Sequence, residues 1–196
     1  MKFKFLIFIL SLFISSCASG PSKKYLVGNL DTNTPIVIGS VSVWSKGMGM
    51  GTGIDFRNED TGEYIPYNGA KFFSLRLKPG TYSVHSIGSR QGGLGSKDIS
   101  LKFTVTNQPL QYIGTIVKSF HLNNGFDANG KEAFVNRIYG LWEPIYIGGA
   151  ETRKAGEVTP PFTKILVFDD QTSVLANFHK EHPSFSTLKV FNSLLY

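Results

Sequence analysis

The chain has 196 residues, of which 41% are hydrophobic and 17% are charged, and its formal net charge at pH 7 is +6. This length is sufficient for one domain with a hydrophobic core. The basic residues are scattered along the chain, whereas nucleic-acid-binding proteins usually carry a concentrated basic face. The composition therefore argues against a nucleic-acid partner and supports at most a weak attraction to anionic lipid headgroups.

The N-terminus combines a basic start with a short apolar run. Lys2 and Lys4 precede an apolar stretch over residues 5–14, and the only cysteine of the chain, Cys17, follows small residues. The run is much shorter than the ~20 apolar residues that span a bilayer. We therefore expect a secretory signal over residues 1–16 rather than a permanent transmembrane helix.

The sequence Ile14-Ser15-Ser16-Cys17 resembles the lipobox of bacterial lipoprotein precursors. The resemblance implies that the Cys17 thiol receives a diacylglyceryl group and that Cys17 becomes the first, acylated residue. Two or three acyl chains anchor a protein stably in a membrane. Because Ala18 rather than aspartate follows, the resemblance also implies the periplasmic face of a Gram-negative outer membrane. In the alternative, an ordinary signal is cut nearby and Cys17 is incidental.

Loss of Lys2 and Lys4 would leave 18 basic and 14 acidic side chains, a net charge of +4. With Cys17 lipidated, no cysteine remains for a disulfide or a thiolate metal site. Residues 17–33 are predicted to form a lipidated tether, in which Tyr25-Leu26-Val27 is apolar enough to dock on the domain.

Alternating apolar and polar residues predict short strands through most of residues 34–183. Val37, Val41 and Val43 share one face of the first strand. The clearest hairpin signal is Lys78-Pro79-Gly80-Thr81, since proline and glycine favour the two central positions of a tight turn. Strands with turns every 8–12 residues predict an antiparallel β-sandwich rather than a βαβ fold.

One helix is predicted near the C-terminus. Asp169-Asp170 offers a cap, Val174, Leu175, Phe178 and His182 lie near one helical face, and Pro183 forbids continuation. For the tail, residues 184–196, a short second helix is predicted, with strand as the open alternative. The predicted fold is therefore mainly β, an antiparallel β-sandwich with one C-terminal helix.

The segment Leu77-Lys78-Pro79-Gly80-Thr81-Tyr82 resembles the L-x-P-G-x-Y motif of transthyretin-like and carboxypeptidase-regulatory-like β-sandwich domains. Tyr112-Ile113-Gly114-Thr115-Ile116, with the later strand and Asp-capped helix, is similar to uncharacterised bacterial lipoproteins that carry such a domain. The resemblance covers roughly residues 36–183. It implies a sandwich fold but no catalytic residues, so none are assigned.

Two glycine-rich segments, residues 47–53 and 88–96, are predicted as loops between strands and as the candidate interaction surface. The first segment lacks the G-K-[ST] of a phosphate-binding loop, and its methionines would suit an adaptable contact. The candidate interaction residues are Gly47, Met48, Gly49, Met50, Gly51, Gly53, Gly88, Arg90, Gly92 and Gly93.

No metal or cofactor is expected. His179 and His182 are spaced to face one ion, but zinc needs three or four ligands, so a packed or capping pair is favoured. The segment from Asp127 to Glu132 fails the calcium-loop spacing because Glu132 occupies the position that requires glycine.

Catalytic motifs are also missing from the sequence. No G-x-S-x-G elbow occurs, and four carboxylates flank one turn, where solvated charges are expected: Asp55, Glu59, Asp60 and Glu63.

The first functional hypothesis is a non-enzymatic, lipid-anchored β-sandwich that binds or supports another envelope component, either a protein or a glycan. The alternative is an envelope hydrolase acting on glycan or peptide, because the carboxylate pair of a glycosidase meets only in space. A third, weaker idea is an inhibitor or assembly partner of a secreted enzyme.

Overall fold

A computed structural model describes residues 23–28, 33–45, 48–50, 52–69, 71–89, 99, 101–120, 144–151 and 162–196. Outside these ranges lie Cys17, the signal over residues 1–16, the segment from Asp127 to Glu132 and five of the candidate loop residues, Gly47, Gly51, Arg90, Gly92 and Gly93. Among the residues described, none of the helices has the length and apolarity that crossing a membrane requires.

The described residues form mainly strands, with one α-helix near the C-terminus, as the sequence predicts. The helix, α1, spans Gln171–Glu181, and short 3-10 turns span Lys23–Tyr25 and Pro183–Phe185. The strands are β1 (Ile36–Ser45), β2 (Met48–Met50), β3 (Thr52–Asn58), β4 (Tyr64–Tyr67), β5 (Phe72–Arg76), β6 (Gly80–Ser89), β7 (Lys102–Val105), β8 (Leu110–Phe120), β9 (Pro144–Glu151), β10 (Phe162–Phe168) and β11 (Val190–Asn192).

The strands form two sheets, and the first of them is mixed. Its order is β2-β1-β8-β10-β9, with β5 also paired to β1 and β11 also paired to β8. Strand β8 runs parallel to both β1 and β11. The second sheet, β4-β3-β6-β7, is antiparallel throughout. The prediction of a purely antiparallel sandwich is therefore wrong. Between β1 and β8 the chain builds the second sheet and returns to the starting end of β1, which makes the two strands parallel.

The predicted hairpin around Pro79 and Gly80 is also wrong. Strand β5 pairs with β1 in the first sheet, whereas β6 pairs with β3 and β7 in the second. The turn therefore carries the chain from one sheet to the other. Its backbone is held by the neighbouring turn, because the Thr81 N–H donates to Asp60 Oδ2 at 3.1 Å. Gly80 has φ +154°, and an added Cβ would lie 2.6 Å from the same oxygen.

The main core lies between the two sheets. Val37, Val41 and Val43 all belong to it, which confirms the predicted face of β1. Phe56 of the second sheet meets Phe73 of the first edge-to-face, with ring centroids 5.5 Å apart. Such aromatic contacts stabilise a core beyond their area burial, and here they join the two sheets without a disulfide.

A second apolar cluster covers the other face of the first sheet. Val174 and Phe178 of α1 pack there with Ile36 and Ile38 of β1, which confirms the predicted helical face. Asp170 occupies the N-cap position but makes no side-chain capping bond. Its N–H donates instead to the Tyr112 hydroxyl at 2.6 Å, and burial raises the pKa of Tyr112 to about 12.

The C-terminal tail forms strand β11 rather than a helix. It pairs with β8 in the first sheet, and the last residue, Tyr196, then exchanges backbone hydrogen bonds of 3.0 and 3.1 Å with Lys102 of β7 in the second. The tail therefore bridges the two sheets along one side, where it satisfies backbone groups that would otherwise form open edges.

Candidate functional site

The predicted glycine-rich loops are strand wherever the structure describes them. Met48, Gly49 and Met50 form β2, paired with β1, while Gly53 lies in β3 and Gly88 in β6. The loop interpretation is therefore wrong at these positions, because pairing with a neighbouring strand satisfies their backbone groups. Gly53 and Gly88 are opposite each other in the ladder. The described ends of the two segments thus lie side by side at one end of the second sheet.

A buried lysine lies in the core at the same end. Lys118 of β8 is 0% exposed, and its ammonium group donates to the carbonyl oxygen of Ile87, the residue before Gly88. Burial lowers the pKa of Lys118 to about 8. Since this group is enclosed by the fold, its main consequence is for the stability of the domain.

The opposite end of the domain contains a cavity of about 200 Å³. The ends of β3 and β5, the start of β6 and the N-terminal 3-10 turn surround it. Its lining residues are Lys24, Tyr25, Thr34, Asn58, Thr61, Glu63, Ile65, Arg76, Lys78 and Tyr82. We call this space the basic cavity, because three of its lining side chains are cationic and one is acidic.

Part of the wall of the basic cavity comes from the predicted tether. Tyr25 is 8% exposed, and Leu26 forms an isolated antiparallel bridge with Leu75 of β5. Lys24 Nζ lies 2.8 Å from Glu63 Oε1, and the Tyr25 hydroxyl donates to the same oxygen. The hydrogen bonds from Lys24 and Tyr25 lower the pKa of Glu63, so this carboxylate stays ionised and holds the N-terminal segment in place.

Arg76 is the most informative residue of the basic cavity. Its side chain is at the end of β5 and the residue is only 6% exposed. Nη1 donates to the Thr34 carbonyl oxygen at 2.7 Å and Nε to that of Val27 at 3.4 Å. These bonds use two of the five N–H groups of a guanidinium. No carboxylate forms an ion pair with Arg76 in the described part of the chain.

The remaining walls are rigid and partly apolar. Tyr82 stacks on Phe103 with centroids 5.5 Å apart, and its hydroxyl donates to the Lys78 carbonyl oxygen at 2.8 Å. Burial raises the pKa of Tyr82, so its ring stays neutral. Asn58 Oδ1 accepts hydrogen bonds of 2.9 Å from the N–H groups of Asp60 and Thr61. The cavity is thus shaped by groups whose own bonds are already made.

The charges in the basic cavity do not cancel. Glu63 is the one carboxylate of the wall, and it pairs with Lys24 and lies within electrostatic range of Lys78. The cavity therefore keeps a net positive charge, and Arg76 has no carboxylate of its own among the described residues. A buried charge without a counter-ion is unfavourable, so proteins normally pair such groups or place them against a ligand. The arrangement is therefore suited to a small group that carries negative charge.

The carboxylates flagged in the sequence do not converge on a reaction centre in the described residues. Asp55 accepts a hydrogen bond from Ser86 Oγ, and Glu59 accepts one from Ser83 Oγ at 2.7 Å. Asp60 binds the Thr81 N–H, as described above, and Glu63 holds Lys24 and Tyr25. The first three carboxylates stabilise turns or neighbouring strands, and Glu63 holds the N-terminal segment.

The two helical histidines are packed rather than convergent on an ion. His182 Nε2 lies 3.3 Å from Ser74 Oγ, and the His182 N–H caps α1 through the Phe178 carbonyl oxygen. The His179 ring lies against Phe178, with centroids 5.8 Å apart. Within the ranges that the structure describes, no group of three or more histidine, cysteine, aspartate or glutamate side chains is placed to hold a metal ion.

Sequence reasoning missed the basic cavity because Arg76 and Lys78 alternate with the apolar Leu75 and Leu77, a pattern typical of a solvated strand face. A basic residue between two apolar ones gives no signal that other segments will cover it. Comparison with known proteins adds no relative, since no protein-family model, no curated protein and no solved structure matches the chain.

Proposed function

We propose that this chain is a lipid-anchored protein of the cell envelope, without enzymatic activity, that binds an acidic group of another envelope component in the basic cavity. The observation that carries the proposal is Arg76, a guanidinium that is 6% exposed, lines a cavity and has no carboxylate partner among the described residues. An acidic ligand would supply the missing negative charge, and hydrogen bonds between charged groups are about twice as strong as neutral ones.

The position of the basic cavity supports a role close to a membrane. Lys24 lies in its wall and only seven residues after Cys17. Seven residues span at most ~25 Å when fully extended. If Cys17 carries the lipid, the cavity is held within this distance of the anchored residue.

The arrangement of the carboxylates supports a binding role rather than catalysis. General acid–base chemistry needs groups with adjusted pKa values that converge on one point. In the described residues, Glu63 has a pKa below its usual value because Lys24 and Tyr25 bind it, which makes it a poor proton donor. No observation in this part of the chain specifically favours the alternative of an envelope hydrolase.

The anchor is tested by Cys17→Ala. We expect the wild-type chain to fractionate with membranes and to carry a diacylglyceryl mass at Cys17, and the variant to lack that mass and remain unprocessed. Mass spectrometry of the N-terminal peptide and membrane fractionation measure both. Ser16→Ala, which leaves a small residue in the motif, is the matched control. Normal processing and unchanged membrane attachment of the Cys17→Ala protein would contradict the lipid anchor.

Ligand binding is tested by thermal unfolding of the full chain in neutral detergent. With 50 mM inorganic phosphate or glutarate and a Kd of about 1 mM, mass action stabilises the folded state by ~2.3 kcal/mol. For a chain of this size, that raises Tm by roughly 5–9 °C relative to sodium chloride at equal ionic strength. Lys78→Gln is expected to reduce this increase by about half, since it removes one cation from the cavity wall.

The matched control is Lys180→Gln, which removes an exposed lysine of α1 that does not line the basic cavity. It should leave the full increase in Tm. If neither phosphate nor glutarate raises Tm beyond the chloride reference, the cavity does not bind acidic groups and the proposed function is wrong.

A further inference from the structure

We propose that the acidic group in the basic cavity is the phosphate of an anionic phospholipid headgroup. This inference rests on the proposed function and names the ligand class of the same site. It would make the domain bind the surface of the membrane to which its lipid attaches it.

The donors suit a phosphate. After its bonds to Thr34 and Val27, the Arg76 guanidinium retains three N–H groups. A planar guanidinium matches the oxygen spacing of a phosphate, and lysine is a frequent second phosphate ligand as a point charge. Lys78 lines the same cavity from an exposed position and forms no ion pair with another described residue. Arg76 therefore offers hydrogen bonds in fixed directions, and Lys78 offers a positive charge on a flexible side chain.

The cavity has the size of a headgroup. Its volume is about 200 Å³, below the roughly 300–1,000 Å³ of sites that enclose drug-sized ligands. A folded protein epitope does not enter such a space, whereas a phosphate with a short polyol does. With three cationic side chains and one carboxylate in its wall, the cavity carries an excess of positive charge, which favours an anionic headgroup over a zwitterionic one.

The closeness of the basic cavity to the lipid-anchored residue favours a lipid phosphate over other acidic groups. The wall residue Lys24 is at most ~25 Å from Cys17 along the chain, and its neighbour Lys23 adds a second basic residue to the same segment. Anionic headgroups are the dense negative charge at a membrane surface, and basic segments next to an anchor are attracted to them. The tether therefore presents the cavity to phosphates more often than to any dilute soluble ligand.

The test measures occupancy of the cavity, because the lipid anchor alone keeps the protein on any bilayer. The full chain, isolated from membranes, is placed in nanodiscs of phosphatidylcholine alone, with added phosphatidylglycerol, or with the same amount of a succinylated diacylglycerol. The rate at which an amine-reactive reagent modifies Lys78 is read by mass spectrometry. Lys180 in the same molecule is the internal reference.

We expect phosphatidylglycerol to slow the modification of Lys78 about fivefold, because most sites are then occupied, and to leave Lys180 unchanged. The succinylated lipid should have little effect, since it gives the same surface charge without a phosphate. Arg76→Gln should abolish the protection. Arg57→Gln, which removes an exposed arginine of β3 outside the cavity, should retain it.

A further measurement with a soluble phosphate ester identifies the source of the phosphate. Glycerol 3-phosphate is added to discs of phosphatidylcholine alone. Protection by this ester without protection by phosphatidylglycerol would overturn the membrane source, and equal protection by both anionic lipids would overturn the phosphate class. In both cases the proposed function stands. If nothing protects Lys78, the lipid inference is wrong, and the thermal titration with phosphate and glutarate decides separately whether the proposed function also fails.

Discussion

Replacing Gly114 by alanine is expected to lower the free energy of unfolding by about 3 kcal/mol or more. Gly114 has φ +119°, a conformation that residues with a side chain rarely adopt, and an added Cβ would lie 2.9 Å from Val167 Cγ1. Gly114 lies in β8 at the irregularity where its register with β1 shifts. The site has little room to adjust, because Val167 and Phe168 of β10 lie against it. Across this junction, a Cβ on Gly39 would meet the Gly114 oxygen at 2.9 Å.

Urea unfolding followed by circular dichroism measures this effect. Gly88→Ala is the matched control, because Gly88 also lies in a strand but an added Cβ there meets nothing within 4 Å. We expect the control to stay within about 0.5 kcal/mol of the wild type. Equal stabilities of the Gly114 and Gly88 variants would show that the junction between β1 and β8 relaxes freely, contrary to the close contacts described.

The alternation of apolar residues predicted which faces of the strands would be buried. The valines of β1 and the apolar residues of α1 lie where the sequence placed them. Burial faces are local, since they depend on the period of a strand or helix and on nothing remote. This is why the strand content and the α-helix near the C-terminus could be predicted from the sequence.

Strand partners and strand direction could not be predicted in the same way. The turn at Pro79 and Gly80 has the composition of a hairpin turn, yet it joins β5 of one sheet to β6 of the other. A period-two strand has the same sequence pattern whether its neighbour is parallel, antiparallel or in the next sheet. The choice depends on long-range packing, such as the contact of Phe56 with Phe73 across the two sheets.

The basic cavity illustrates the same limit for the site. Its residues come from segments as distant in sequence as Lys24, Asn58 and Tyr82, and no short motif joins them. Arg76 occupies a polar position in the alternation of β5, and such positions are normally solvated. In the folded chain it is covered by Val27 and Phe185. The Phe185 ring centroid lies 5.9 Å from the guanidinium carbon. The contribution of the tether was predictable only as a tendency of Tyr25-Leu26-Val27 to dock.

Lys118 shows how a charged residue in a core strand changes stability with pH. Its pKa in the folded protein is about 8 against an ordinary value of 10.5. Below pH 8 the lysine is charged in both states, and the folded state bears the unfavourable burial of that charge. Between pH 8 and 10.5 the unfolded chain binds more protons than the folded one, so stability rises with pH in this window. The shift corresponds to an effect of order 3 kcal/mol.

Lys118→Met is therefore expected to stabilise the protein at pH 7 by about 2 kcal/mol. The gain is smaller than the full effect because the Ile87 carbonyl oxygen loses a donor. The variant should also lose most of the rise in stability between pH 8 and 9.5. Urea unfolding at pH 7, 8, 9 and 9.5 measures both. This range ends below the pH at which Tyr112, whose pKa is raised to about 12, begins to favour unfolding.

Lys102→Met is the matched control, because Lys102 of β7 is exposed and lies 4.0 Å from Glu59 at the protein surface. Exposed ion pairs contribute at most about 1 kcal/mol, so this variant should keep the pH dependence of the wild type. If Lys118→Met instead destabilises the protein at pH 7, the buried ammonium stabilises the two sheets through its bond to β6. If the variant retains the rise above pH 8, a group other than Lys118 causes that rise. The apolar replacement and the pH profile together separate these two roles, since only an unfavourable buried charge predicts that both changes occur in the same variant.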